Sequence, residues 1–230
     1  MHFSVQPNRT IDQSTVLCNN YLVARKYQLK QRALRQEETR QRIVEAAVAL
    51  HTTVGPANTS VSAIAERAGV QRHTFYRYFA DERALSVACS GLYMEQHPPP
   101  DADTWRDIAD PAARLRHGLG ELYAFYERNG EALEPIMRDA LTHAPTREIN
   151  EHRLGPVFAA MHAVLSEPFR FEDASRQRAF GAALALVVDF FVWKQLRASC
   201  GSPDAAVEVA ARAVCAQRLP DDACREGTSR

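Results

Sequence analysis

The chain has 230 residues with 28 basic and 28 acidic side chains, so its formal net charge is zero. Its 46% content of hydrophobic residues is ordinary for a globular protein with a buried core. The charge is unevenly distributed, because residues 1–97 contain 12 Lys and Arg against 8 Asp and Glu, which leaves 16 against 20 in residues 98–230. The composition therefore indicates a basic N-terminal module joined to an acidic body.

The five cysteines are widely spaced and form no C-x-x-C pair: Cys18, Cys89, Cys200, Cys215 and Cys224. This spacing indicates neither a zinc site nor a thiol redox motif, and we expect reduced thiols in an intracellular protein. The histidines of the C-terminal half also lack the helical spacing that brings metal ligands together. We expect no metal and no cofactor.

No membrane or secretion signal is evident in the sequence. The first 24 residues lack the apolar core of a signal peptide. The most apolar run, AFGAALALVVDFFVW at 179–193, is shorter than a membrane span and contains Asp189. We therefore expect a soluble, cytoplasmic protein without a membrane partner.

The N-terminal third begins without a clear pattern and then becomes helical. Residues 1–24 show no period, and we expect a loose tail there. Seven basic residues accompany only two acidic ones between Arg25 and Arg42, so a helix in this range would be strongly cationic. From Ile43 onward, apolar residues recur at i, i+4 and i+7, which predicts a first amphipathic helix.

Turn signals divide the next forty residues into short helices. Gly and Pro in VGPANTS, residues 54–60, end the first helix, and Ser60 or Thr59 can cap the next one. The predicted helices that follow cover residues 61–68 and 72–78, with a fourth that Asp81 caps and that continues toward the segment HPPP at 97–100.

The remainder of the chain keeps a helical pattern, with no sustained alternation of the kind that predicts strands. We therefore predict an all-α fold whose later helices include residues 174–198 and 203–218. The 174–198 segment is apolar around almost its full circumference, which a surface helix cannot be. We expect a second subunit to bury it, with Asp189 and Lys194 in or beside the interface.

Residues 61–78 meet the packing requirements of two helices that cross through a tight turn. Ala65 supplies the small residue where the helices touch, and Gly69 suits a left-handed turn. The residues expected to close the wedge are Ile64, Ala68, Val70, Phe75 and part of Tyr78. The opposite face then presents Arg72, His73, Tyr76 and Arg77, which fits the major groove of DNA.

Residues 39–85, TRQRIVEAAVALHTTVGPANTSVSAIAERAGVQRHTFYRYFADERAL, resemble the N-terminal DNA-binding domain of the tetracycline-repressor (TetR) family of transcriptional regulators. Three motifs at fixed mutual spacing carry the resemblance: R-x-x-I-x-x-A-A-x-x-L, T-S-V-x-x-I-A-x-x-A-G-V and T-F-Y-R-Y-F. The resemblance implies a flexible basic N-terminal extension over 1–35, a helix-turn-helix DNA-binding domain over 36–97, and a C-terminal helical regulatory and dimerisation domain over 98–230.

The resemblance makes residues 72–78 the recognition helix. The DNA-binding candidates that it implies are Arg40, Ser60, Gln71, Arg72, His73, Thr74, Tyr76, Arg77 and Tyr78. Gln71 replaces the usual Ser or Thr cap, His73 replaces a small residue, and Glu82 replaces a Lys that often meets phosphate. We expect the operator preference of this chain to lie in residues 71–73.

The expected function is that of a homodimeric regulator, most simply a repressor, that binds double-stranded DNA at a palindromic operator and responds to a small-molecule effector. Aromatic, His and Met residues of the C-terminal part are candidates for lining an effector pocket, although ordinary core packing explains each of them as well: Trp105, His117, Tyr123, Phe125, Tyr126, Met137, His143, Phe158, Met161 and His162. The effector is unknown.

Two alternatives compete with this expectation. An enzyme is disfavoured because the sequence contains no G-x-S-x-G, H-E-x-x-H or phosphate-binding glycine loop. The other alternative is a TetR-shaped protein that has lost DNA binding and acts through protein contacts. The basic run at 25–42 also stays open between a solvated helix face and a non-specific contact with the DNA backbone.

Overall fold

The computed structural model describes residues 13–171 and 173–218 of the chain. Nine α-helices and three short 3₁₀ helices occupy these two ranges, which contain no strand, and the all-α prediction is confirmed. The α-helices are α1 Gln13–His51, α2 Val61–Arg67, α3 Arg72–Tyr78, α4 Glu82–Gln96, α5 Pro111–Thr142, α6 Ala144–Ser166, α7 Ala174–Val187, α8 Phe190–Cys200 and α9 Pro203–Cys215.

Helix α1 is longer than the sequence pattern predicted. It continues without a break from Gln13 to His51, so the expectation of a loose tail is wrong for residues 13–24. Residues 1–12 lie outside the described residues. Residues 13–51 contain neither Gly nor Pro, and the segment from 25 to 42 is rich in Arg, Gln and Leu, which are strong helix formers. Local propensity therefore continues the helix beyond the part that packs in the core.

Two clusters of buried side chains hold the helices together. The first lies among the four helices α1, α2, α3 and α4. Its members include Ile43, Ala47, Ile64 and Phe75, none more than 3% exposed. The second surrounds α5 and includes contributions from α6 to α9. The division at 97–100 into domains stays a prediction, although α4 ends at Gln96, one residue before the prolines 98–100.

The segment 174–198 is not the single helix that its apolar pattern predicted. It is broken into α7 and α8, which are bent by 72° to each other. Asp189 caps α8 by accepting hydrogen bonds from the backbone N–H of Phe191 and Val192, at 2.8 and 3.0 Å. The hydroxyls of Tyr123 and Tyr126 donate to the carbonyls of residues 187 and 188, at 2.8 and 2.7 Å. The cap and the two buried phenols therefore stabilise the bend.

The two polar residues that were expected at an interface both have partners within the chain. Asp189 acts as the helix cap, and Lys194 forms an ion pair with Glu134 of α5. Within residues 13–171 and 173–218, no single helix has both the length and the apolar composition of a membrane span; only the bent pair α7 and α8 reaches them together.

Close packing around α5 yields a stability test. A Cβ on Gly118 would lie 2.8 Å from Leu165 Cδ2 and 2.9 Å from the Trp105 ring, whereas a Cβ on Gly120 meets nothing within 4 Å. We expect Gly118→Ala to lower the free energy of unfolding by about 1–3 kcal/mol through overpacking. Gly120→Ala is the matched control and should leave it unchanged or raise it by up to about 1 kcal/mol. Urea unfolding of both variants measures this, and equal effects would contradict the packing.

Candidate nucleic-acid interface

Helices α2 and α3 form a tight pair whose turn depends on glycine. Ser60 caps α2 by accepting a hydrogen bond from the Ala63 N–H at 3.2 Å. Gly69 has φ +66°, the left-handed conformation that the sequence predicted, and the N–H of Val70 donates to the carbonyl of Ala65 at 2.9 Å. The turn therefore sets the direction in which α3 leaves α2.

The inward side of α3 is anchored by aromatic rings. Phe75 is fully buried, and its ring packs edge-on against Tyr76 with ring centroids 5.2 Å apart. Phe79, which directly follows α3, is only 3% exposed and was not predicted as a core residue. Tyr78 is half-buried and packs against the same cluster. These contacts fix the rotation of α3 about its axis.

The outward side of α3 presents the predicted polar residues. Arg72, His73 and Arg77 are exposed, and Tyr76 is 46% exposed. We call these four residues the recognition face. Within the described residues, no ion pair occupies either arginine. The face is therefore available for an external anion or acceptor.

The other candidate residues lie around the recognition face and differ in their exposure and contacts. Gln71 is exposed and caps α3 without a side-chain hydrogen bond, as expected for a weak cap. Thr74 is half-buried. The guanidinium of Arg40 lies 5.4 Å from the centre of the Phe79 ring, so this α1 residue sits beside the end of α3.

Helix α4 is tied to α6 at its first turn. Asp81 caps α4 as predicted, by accepting from the Ala84 N–H at 2.7 Å. Arg83 donates through Nε and Nη2 to a carboxylate oxygen of Glu148 in α6, at 3.0 and 2.7 Å. Arg83 therefore does not replace the phosphate-binding lysine whose position Glu82 occupies; it connects the two parts of the chain instead.

A second connection joins the turn after α1 to α5, and the sequence analysis missed it. Asp139 is 5% exposed, and its carboxylate accepts the Ala57 N–H at 2.9 Å. Arg138 donates to the carbonyl of Val54 at 3.1 Å and to the Asp139 carboxylate. Gly55 has φ +94°, and a Cβ there would lie 2.2 Å from Asp139 Oδ2. The only sequence signal was the Gly55-Pro56 pair, which predicted a turn without its partner.

A cavity of about 670 Å³ opens between the end of α1 and helices α4, α5 and α6. This volume lies within the range of about 300–1,000 Å³ that is typical of small-molecule sites. Six of the predicted pocket candidates line it: Phe125, Tyr126, Met137, His143, Phe158 and Met161. The other four candidates, Trp105, His117, Tyr123 and His162, do not line it. Trp105 and Tyr123 are core residues, at most 1% exposed.

Two titratable groups that line the cavity, His51 and Cys89, are neutral. Burial lowers the pKa of His51 to about 4 and raises the pKa of the Cys89 thiol to about 12, so both groups are uncharged near neutral pH. The Cys89 sulfur lies 3.4 Å from His51 Nδ1. These two residues join α1 to α4 without introducing a charge, which favours apolar occupants.

Arg153 links the cavity wall directly to α4. Its guanidinium donates through Nη2 to the carbonyl of Val87 at 2.7 Å and through Nε to the hydroxyl of Ser90 at 3.2 Å. A change in α6 at this point would move α4, which shares a core with the recognition helix. In the part of the chain that the structure describes, no group of three or more His, Cys, Asp or Glu side chains converges as a metal site would require.

Comparison with known proteins agrees with this geometry. A family model described as bacterial regulatory proteins of the TetR family matches residues 43–89. The HTH-type transcriptional repressors KstR of Mycolicibacterium smegmatis and Mycobacterium tuberculosis are 34% and 33% identical over 112 residues, which are 47% of this chain and 51% and 47% of those proteins. The match thus spans about half the length of these curated relatives.

A solved structure shares the fold over most of the chain. The crystal structure of a transcriptional regulator from Rhodococcus sp. RHA1 has a TM-score of 0.50 at 16% identity, and the match covers 77% of this chain and 94% of that one. The identity is too low to carry more than the fold. The helix-turn-helix geometry and the match at 43–89 therefore agree: this part of the chain is similar to the DNA-binding region of the TetR family of bacterial regulatory proteins.

Proposed function

We propose that this protein is a sequence-specific, DNA-binding transcriptional regulator that acts as a homodimer on a palindromic operator, and that it is a repressor released by a small-molecule effector. The observation that carries the proposal is the recognition face, which is exposed on a helix whose opposite side is anchored by Phe75. A regulator of this kind acts where the DNA is, so a cytoplasmic location is part of the proposal.

The recognition face has the chemistry that base reading requires. Arginine donates two parallel hydrogen bonds to the O6 and N7 acceptors of guanine, which suits Arg72 and Arg77. His73 adds a third donor or acceptor at a position where the family usually has a small residue. Phosphate contacts supply much of the affinity and make it salt-dependent, whereas base contacts supply the choice of sequence.

Two copies of the chain would give the two recognition helices of a palindromic site. Such helices lie about 34–36 Å apart, which corresponds to one turn of DNA. Exposed apolar side chains on the C-terminal helices support association, since Leu186 of α7 is 60% exposed and Val209 of α9 is 46% exposed. A symmetric dimer would bury these side chains twice.

The effector response rests on the cavity and on its connections to α4. An apolar molecule that entered the cavity would press on α6, whose Arg153 and Glu148 are hydrogen-bonded to α4. A ligand shifts a conformational equilibrium only by its difference in affinity for the two states. The proposed effector therefore favours a position of α4 and α3 in which two recognition helices no longer match successive major grooves.

Selection from a random duplex library, followed by binding assays, tests the recognition face. We expect the full chain to enrich a palindrome, and Arg72→Ala and His73→Ala to lose about 1–3 kcal/mol of discrimination each at the bases they contact. Arg147→Ala, an exposed arginine on α6, is the control and should bind as the parent does. If both recognition-face variants bind as the parent does, the face is wrongly assigned.

If no duplex is enriched even at low salt, the result supports the alternative of a regulator that acts only through protein contacts. The Arg83–Glu148 pair is consistent with that alternative, because it leaves the start of α4 without an unpaired cation.

A second experiment tests the cavity with the dye 1-anilinonaphthalene-8-sulfonate, whose aromatic rings bind apolar cavities while its sulfonate is anionic. We expect the parent to bind the dye with enhanced fluorescence and to bind the selected duplex more weakly when saturated. Val157→Trp places a large ring in the cavity and should lower the dye affinity at least about tenfold, which is about 1.4 kcal/mol. Ala159→Trp, at an exposed position of the same helix outside the cavity, should not. Equal dye binding by both variants would place the dye elsewhere and contradict the cavity as the effector site.

A further inference from the structure

Helix α1 projects beyond the recognition unit. Residues 26–38 are exposed except for the half-buried Gln31, and from position 26 onward the first fully buried residue is Ile43. Because Arg40 lies over the ring of Phe79 beside the end of α3, the helix is anchored at that point. The helix rises by about 21 Å from position 26 to position 40.

One side of this projecting helix carries a row of arginines. Arg32, Arg35 and Arg42 stand at i, i+3 and i+10, which places them on one side at roughly 100° per residue. We call them the arginine face. Of the two acidic residues of the projecting part, Glu37 lies on the opposite side of the helix, and Glu38 borders the face beside Arg35 and Arg42 without an ion pair among the described residues. Among the described residues, neither Arg32 nor Arg35 has an ion-pair partner. The Glu37 carboxylate pairs with Arg40.

The arginine face is continuous with the recognition unit. A Cβ placed on Gly69, in the turn between α2 and α3, would lie 3.8 Å from Nη1 of Arg42. Arg42 also donates to the hydroxyl of Thr39, which stands on the same side of the helix one turn earlier. The row of cations therefore begins beside the turn that orients the recognition helix and leads away from it along α1.

We propose that the arginine face binds the phosphate backbone of the DNA that flanks each operator half-site. This inference rests on the proposed function and adds a second contact surface to it. Each DNA strand carries one phosphate per about 3.4 Å of the duplex axis, so 21 Å of projecting helix spans about six phosphates of one strand. Each subunit of a dimer brings two arginines, Arg32 and Arg35, to phosphates that the recognition helix does not reach.

The chemistry of the face distinguishes DNA from a protein partner. Protein interfaces have an apolar or aromatic centre, and cations stand at their rim. The exposed apolar residues of the projecting helix, Tyr27, Leu29 and Leu34, lie off the arginine face, whose other members are Gln28 and Thr39. A side made of arginines and uncharged polar groups matches a polyanion, which needs no apolar centre.

The test compares two lengths of DNA. The full chain first selects its palindrome, which is then prepared alone and with about ten base pairs, or one turn, of unrelated sequence on each side. For the parent, we expect the plot of log affinity against log salt to be steeper on the longer duplex by about two to four, because each phosphate contact contributes about 0.9. Arg32→Gln/Arg35→Gln should lose this difference and bind the short duplex as the parent does.

The control variant is Lys26→Gln/Lys30→Gln, which removes the same charge from the opposite side of the same helix. Gln is a good helix former, so circular dichroism should show unchanged helicity in both variants. The control should keep most of the difference between the two duplexes. Equal losses in the two variants would show a diffuse charge effect and overturn the assignment to the arginine face.

Two further outcomes separate this inference from the function on which it rests. If the parent selects a palindrome but the arginine variant has the parent's salt dependence on the long duplex, the inference fails and the proposed function stands. A change of oligomeric state in the arginine variant, with unchanged salt dependence, identifies a protein contact and likewise overturns it. If no duplex is selected, both proposals fail.

Discussion

The hydrogen bond from the Ala57 N–H to the Asp139 carboxylate is the contact on which the arrangement of this chain depends. It ties the turn after α1 to α5, and the turn in turn leads into α2 and the recognition helix. A carboxylate that is 5% exposed is costly to bury unless its oxygens are hydrogen-bonded, and here the backbone N–H and the Arg138 guanidinium satisfy them. Glycine at position 55 is required because any Cβ there would collide with the carboxylate.

This contact and the α4–α6 contacts hold the unit formed by α1 to α4, which contains the helix-turn-helix, at two separate places. The Asp139 contact holds it from α5, while Arg153 and the Arg83–Glu148 pair hold it from α6. The cavity lies between the two places, with the neutral His51–Cys89 pair at its inner wall. An occupant that shifts α6 relative to α5 would therefore change the position of the unit. Two discrete arrangements of this kind are what coupling between distant sites requires.

Sequence reasoning was strongest where local chemistry decides the structure. The left-handed Gly69, the caps at Ser60 and Asp81, and the buried Phe75 follow from backbone geometry and helical spacing, and each is found as predicted. The break between α7 and α8 was missed because an apolar run hides a cap: Asp189 had been interpreted as an interface residue. Two tyrosines from α5, more than sixty residues away, complete the bend, and no local pattern announces them.

The candidate site also has features that the sequence predicts and features that it does not. The recognition face could be predicted, since the wedge residues determine which side of a short helix faces outward. The Asp139 and Arg153 contacts could not be, because each joins residues more than sixty positions apart through a backbone group that any residue type offers. The N-terminal extension of α1 was missed for the opposite reason: its exposed residues 26–38 have helix propensity but lack the apolar period that the prediction relied on.

Amide hydrogen exchange tests the central claim, that Asp139 fixes the turn which leads into helices α2 and α3. Asp139→Ala removes the acceptor, and a hydrogen bond to a charged group contributes about 1.5–3 kcal/mol, so exchange in residues 54–60 should accelerate about tenfold or more. Asp173→Ala, which removes the helix cap of α7, is the matched control and should leave these residues unchanged. Unchanged exchange of residues 54–60 in a folded Asp139→Ala protein would contradict the account.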